Sequence, residues 1–225
     1  WTTRDGGTRL ARIEVASPGA ASLRVAMRLA APLPGVTVRF APAAASDALE
    51  SVSAAAIAQS TSRFGEHWSP VIEGERAAIE IEADAGATLA GATLVIARVS
   101  HLVVGANATR QQEAKLLADI GDSGSCNIDV KCVTPQDSVT LGSAAATGKL
   151  LFTGPSGGTA RCTGTLLNDQ LGSFTPYLFS ANHCFESAYA AATLNVWWFF
   201  DATSCGGFTP GAYVEQYGGA ALLGR

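Results

Sequence analysis

The chain has 225 residues, enough for two compact domains or one large one, and carries a net charge of −4 with 48% hydrophobic residues. No basic stripe supplies the footprint that nucleic acid requires, and no stretch of about 18 apolar residues is left uninterrupted, so a membrane span is excluded as well. The most apolar run, residues 91–106, is broken by Arg98, Ser100 and His101.

From the amino end, the runs RIEVA, SLRVAMRL, VTVRF, AAIEIEA and TLVIARVSHLV read as strands. In the fourth, Ile79 and Ile81 point one way and Glu80 and Glu82 the other, as a half-buried strand requires. Turn signals separate these runs, including Ser17-Pro18-Gly19, Pro32-Leu33-Pro34-Gly35 and Gly74-Glu75. Strands at this spacing predict an antiparallel sandwich over residues 1–104. The alanine-rich stretch 45–60 is the exception and predicts a short helix capped near Ser46. His67, next to Trp68, and His101 read as strand histidines rather than ligands.

Residues 105–123 are polar, end in glycine-rich chain and read as a linker. Asn107-Ala108-Thr109 matches a glycosylation sequon but carries little weight here. Beyond the linker, SVTLGSA, GKLLFTG, ARCTGTLLND, TPYLFSANHC and TLNVWWFF again read as strands separated by Gly, Ser and Thr turns. Trp197 and Trp198 fit core and rim positions of the last of them.

Five cysteines, Cys126, Cys132, Cys162, Cys184 and Cys205, all fall in the second half, and none belongs to a C-x-x-C pair. Disulfides made in an oxidising compartment are the expected state. The chain opens at Trp1 with no leader to read, so a secreted location follows from the cysteines alone. A zinc site is not expected. Closely spaced ligands are missing, and adjacent residues such as His183 and Cys184 seldom point at one ion. No cofactor is implied.

Residues 161–185, RCTGTLLNDQLGSFTPYLFSANHCF, carry the chemistry. A strand holding Cys162 and Gly164 is followed by a second apolar strand that runs into Ser180-Ala181-Asn182-His183-Cys184. This arrangement resembles the chymotrypsin-like serine proteases, and more closely their bacterial lysyl endopeptidase branch. Residues 126–132 resemble the start of the mature enzyme, CTGTLLND its counterpart strand, and NVWWFFDATSC an aromatic strand ending in cysteine. The resemblance spans about residues 121–212.

It implies an all-β fold: a β-sandwich pro-domain over residues 1–104, a linker with the processing region over 105–123, and over 124–225 the first, incomplete half of a chymotrypsin-like double β-barrel. It makes His183 the general base of a Ser-His-Asp mechanism acting on polypeptides. It pairs Cys162 with Cys184 and Cys132 with Cys205, and leaves Cys126 for a cysteine outside the chain. The segments ASPGAASLRVAMRL and HWSPVIEGERAAIEIEA more loosely resemble the pro-segments of the same proteases, which implies a pro-domain that contacts its own catalytic domain. Processing is expected between about residues 110 and 125, where Arg110 and Lys115 offer basic residues.

Gly121-Asp122-Ser123-Gly124-Ser125 has the letters of a nucleophile loop, yet Ser123 precedes His183, against the family's order of histidine, aspartate, serine. It is read as a coincidence of small residues. The triad aspartate should follow the histidine by about 45 residues, near or beyond Arg225. Of the acids after His183, Glu186 and Glu215 do not fit and Asp201 reads as a polar turn residue. The chain alone should therefore be inactive. Two rival readings remain: a β-sandwich binding or adhesion protein, and a protease-like pseudoenzyme.

Overall fold

The computed structural model describes residues 1–45, 50–103, 128–207 and 209–224. They form two compact units, Trp1–Ala106 with Tyr217–Ala221 and Asn107–Gln216 with Leu222–Arg225. The protein is all-β in character, with mainly antiparallel sheets. Cys126, the Ser123 stretch, the sequon and both linker basic residues lie outside the described residues.

Unit 1 is a sandwich. One sheet has the order β1 (Thr2–Thr3), β2 (Arg9–Ala16), β8 (Arg76–Ala83), β4 (Val36–Pro42), β5 (Glu50–Ser53). The other is built on β3 (Ser22–Leu29), which pairs with β6 (His67–Trp68), β7 (Ile72–Glu73) and β9 (Leu94–Leu102). Leu23, Val25, Met27 and Ile72 of the second sheet share one core with Val38, Phe40 and Ile79 of the first. Burial of this apolar surface is the main force holding the two sheets together. On the outer side of β8, Glu80 pairs with Arg12 at 3.0 Å, and Glu82 with Arg39. The Arg39 hydrogen bond holds the Glu82 carboxyl below its ordinary range.

The Trp-Ser-Pro string has a structural explanation. Trp68 is buried, its Nε1 donates to Glu66 Oε1 at 3.1 Å, and the Arg24 guanidinium lies 4.8 Å from its ring centroid. Ser69 Oγ accepts from the Val25 N–H at 2.9 Å, which satisfies β3 in the gap between β6 and β7. Gly74, at φ 89°, then makes the turn into β8.

The helix expected over 45–60 lies later. It is α1, Ala54–Phe64, and its N-cap is Ser53, whose Oγ accepts from the Ala56 N–H at 3.2 Å. Residues 50–53 are strand β5, so the chain is still extended where the helix was expected to run. Ser46 lies outside the described residues.

Unit 2 holds one five-stranded sheet of order β12 (Tyr177–Ser180), β11 (Thr159–Leu167), β10 (Thr147–Thr153), β13 (Asn195–Trp198), β14 (Val214–Gln216). Its neighbouring strands are all antiparallel. Among the described residues the sheet does not close into a barrel: β12 and β14 are its two ends. Close backbone approach explains one glycine of the CTGT strand. A Cβ on Gly164 would sit 2.9 Å from Leu150 Cδ1 and 3.1 Å from the Phe179 carbonyl oxygen.

The expected strand SVTLGSA is instead helix α2, Ser138–Ala146. Asp137 caps it by accepting from the Thr140 N–H at 2.8 Å, and that bond holds the Asp137 carboxyl below its ordinary range. The cap and the following alanines outweigh the β-branched Val139-Thr140 pair. No helix among the described residues is long and apolar enough to cross a membrane.

Candidate active site

His183 follows the edge strand β12 and is exposed, while the chain on either side of it is fixed. Before it, Ser180 pairs with Gly164 in the β11–β12 register, and its Oγ donates to the Thr163 carbonyl at 2.7 Å. After it, the Cys184 N–H donates to the Ala181 carbonyl at 2.9 Å and closes a tight turn around the histidine. The Cys184 side chain is 4% exposed and packs with Phe152 and Ala190. Phe185 stacks on Phe152 with centroids 4.6 Å apart. An exposed ring next to a buried, cross-linked cysteine is held in place yet open to solvent.

The cross-link joins Cys184 to Cys162, with Cα atoms 6.2 Å apart. A second joins Cys132 to Cys205. These are the two pairs that the resemblance implied. Cys162 sits on β11 opposite Leu150, so the first bridge ties the histidine turn to the middle of the sheet.

Helix α3, Ala188–Ala192, supports the same corner. Ser187 caps it by accepting from the Ala190 N–H at 3.2 Å, and Ala190, Ala191 and Ala192 are buried. Thr193 then joins α3 to the end of β10, its Oγ accepting from the Thr153 N–H at 2.7 Å.

One ring nitrogen of His183 lies within 4.8 Å of both Cys162 and Cys184 sulfurs, a spacing that a metal could use. Thiolate is the ligand form of cysteine, however, and these sulfurs are bonded to each other. The cluster presents a single imidazole.

Among the described residues the His183 ring has no hydrogen-bond partner. The acids that follow it are engaged elsewhere or open to solvent. Asp201 pairs with Lys131 at 2.8 Å, Glu215 accepts from Asn195 Nδ2 at 2.8 Å, and Glu186 is exposed. Asp201, expected as a polar turn residue, is thus half of an ion pair whose partner is 70 positions away. A cleft of about 760 Å³ lies between Val139 and Leu141 of α2 and Phe199, Phe200 and Asp201; His183 is not among its lining residues.

The other two histidines each meet a serine hydroxyl. His101 Nδ1 lies 2.8 Å from Ser17 Oγ on an exposed strand. His67 is 3% exposed, its Nδ1 is 3.1 Å from Ser60 Oγ, and burial lowers its pKa from 6.5 to about 4. This shift gives a sign. Between pH 6.5 and 4 the unfolded chain takes up a proton that the folded chain refuses, so stability falls as pH falls through that window. The loss reaches roughly 3 kcal/mol once both states are protonated, at 1.36 kcal/mol per pKa unit. His67→Gln is expected to flatten the urea midpoint of unit 1 across this window by that amount relative to the parent. An unchanged slope refutes the assignment.

An antiparallel all-β protein with an exposed histidine pinned by a disulfide at a sheet edge has the character of a protease fold. The comparisons name the family. The lysyl endopeptidase N-terminal domain matches residues 1–103, and the lysyl endopeptidase C-terminal domain matches residues 120–225. A lysyl endopeptidase of Pseudomonas aeruginosa is 35% identical over 212 residues, which cover 92% of this chain and 44% of that relative. The chain belongs to the lysyl endopeptidase family and spans less than half the length of this relative. No solved structure gives a significant match.

Proposed function

We propose that this chain is part of a secreted lysine-directed serine endopeptidase precursor, with unit 1 as the pro-domain and unit 2 as the first portion of a trypsin-like catalytic domain. The observation that carries the reading is the placement of His183, exposed on a turn tethered by the buried, cross-linked Cys184 that follows it.

In the complete enzyme His183 takes the proton of a serine hydroxyl as that oxygen attacks the scissile carbonyl. It then returns the proton to the leaving amine, and water resolves the acyl-enzyme. The aspartate that fixes the imidazole tautomer and the serine itself come from sequence outside this chain. Two observations support this: no described acid meets the ring, and the relative is more than twice as long as the matched region. The chain alone is then inactive. Preference for lysine follows from the relative's name. The pro-domain assists folding of its own catalytic domain and delays activity until it is removed, and Cys126 pairs with a cysteine supplied by the rest of the enzyme.

The test is to express the full-length product, treat it with a fluorophosphonate serine reagent, assay lysyl and arginyl esters, and sequence the mature amino terminus. Covalent labelling, faster lysyl hydrolysis and a terminus between residues 110 and 125 are expected. A folded product that takes no label is a pseudoenzyme, and a continuation that supplies no serine loop leaves a binding module; either result overturns the proposal.

A further inference from the structure

The chain contains twelve arginines but three lysines, Lys115, Lys131 and Lys149, and residues 1–114 contain none. Lys115 lies outside the described residues. The other two, both in unit 2, are held by different means.

Lys149 sits within β10, which is hydrogen bonded to β11 on one side and β13 on the other, in register with Thr163 and Trp197. Its ammonium lies 4.2 Å from the Phe200 ring centroid and 5.2 Å from that of Trp197. Cutting the chain there requires the middle of the sheet to come apart.

Lys131 sits in the 3-10 turn Val130–Cys132. Its N–H donates to Asp129 Oδ1 at 2.9 Å, and its Nζ lies 2.8 Å from Asp201 Oδ2. The next residue, Cys132, is bonded to Cys205. The Gly206 N–H closes the arrangement by donating to the other Asp129 oxygen at 3.1 Å. Peptidases that read a side chain take their substrates extended, with strand-like backbone contacts and the side chain free for a pocket. Here the turn is not extended and the lysine charge is already paired. A disulfide directly follows the bond that a lysine-directed enzyme would cut.

We propose that the Cys132–Cys205 clamp hides the Lys131–Cys132 peptide bond from lysine-directed cleavage, and that a dithiol, by opening the clamp, turns this bond into a cleavage site on the chain itself. The proposal gains its biological meaning from the lysine-directed reading above, as a guard against self-digestion.

The chemistry has two steps. A thiolate of the dithiol attacks one sulfur of the bridge, and its second thiol closes the reagent to a cyclic disulfide. Two electrons pass to the protein, leaving Cys132 and Cys205 as thiols. Water then adds across the peptide bond under the peptidase, leaving a carboxylate on Lys131 and a free amino group on Cys132. Cys205 is exposed whereas Cys184 is 4% exposed, so the clamp is the bridge a reagent reaches first.

The experiment treats the purified chain with an added lysine-specific peptidase, with and without a low concentration of dithiothreitol, and follows new amino termini by mass. Because the peptidase is supplied, the result does not depend on any activity of this protein, and the ester assay above decides that question separately. Cleavage through local opening scales with the open population. The terminus Cys132-Val133-Thr134 is therefore expected to appear about ten-fold faster or more after reduction, while cleavage after Lys149 stays slow. Asp201→Asn, which keeps the disulfide, is expected to raise the oxidised rate at Lys131 by a smaller factor. Equal rates at Lys131 with and without dithiol overturn the guard. So does a Lys149 product that rises in step with the Lys131 product, since reduction would then be unfolding the whole sheet.

Discussion

With His183 as the proposed general base, His183→Ala in the complete enzyme is expected to lower kcat by about 10⁶-fold while KM moves by no more than a few-fold, because an imidazole in that role acts on the reacting proton rather than on substrate binding. The size of this effect is that of losing one member of a unit that works together; what survives is whatever oxyanion stabilisation and substrate binding supply alone. Folding should barely register the change. The ring is exposed and has no hydrogen-bond partner among the described residues, so its removal falls within the range of about 0.5 kcal/mol usual for surface sites. Loss of fluorophosphonate labelling together with an unchanged melting curve is the expected pair of results. A variant that retains a hundredth of the parent kcat makes another group the base.

The sequence showed the histidine better than it showed what holds it. The order of strand, turn, His183 and Cys184 is local and legible from spacing. Of its supports, the Cys162–Cys184 bridge is implied by the family resemblance, whereas the rest are contacts between distant positions that no local pattern marks: Ser180 to Thr163, Phe185 to Phe152, Thr193 to Thr153. The same distinction runs through the fold. Strands with a full run of alternating or branched residues, such as β2, β4 and β8, are visible as patterns. β6 and β7 are two residues each, too short for any period, and exist because β3 needs partners.

Helix α2 fails for a different reason. Its Val-Thr pair favours strand locally, while the decisive signal was the single capping oxygen of Asp137. Asp201 shows the limit clearly: the implied Cys132–Cys205 bridge brings its neighbourhood near Lys131, but no local pattern marks the ion pair itself.

The two disulfides are expected to separate stability from catalysis. In the chain-entropy model, the Cys132–Cys205 bridge, at a sequence separation of 73, contributes about 4 kcal/mol, and the Cys162–Cys184 bridge, at a separation of 22, about 3 kcal/mol. On loop length alone, removing the longer should hurt more. Two features of the shorter bridge narrow the gap. Cys184 is packed against Phe152 and Ala190, so Cys162→Ala with Cys184→Ala also empties part of a filled corner. The bridge also anchors the turn that carries His183 to β11, and in the general-base role proposed for His183 a displacement of about 1 Å costs on the order of 100-fold in rate. The double alanine variant at 162 and 184 is therefore expected to lose about as much stability as the one at 132 and 205, and on the order of 100-fold more kcat. Urea midpoints and turnover measured on both variants of the complete enzyme check this. Equal losses of kcat would mean that the edge of β12, with its Ser180 to Thr163 bond, is sufficient to hold the imidazole and that the sulfur bridge only limits the unfolded chain.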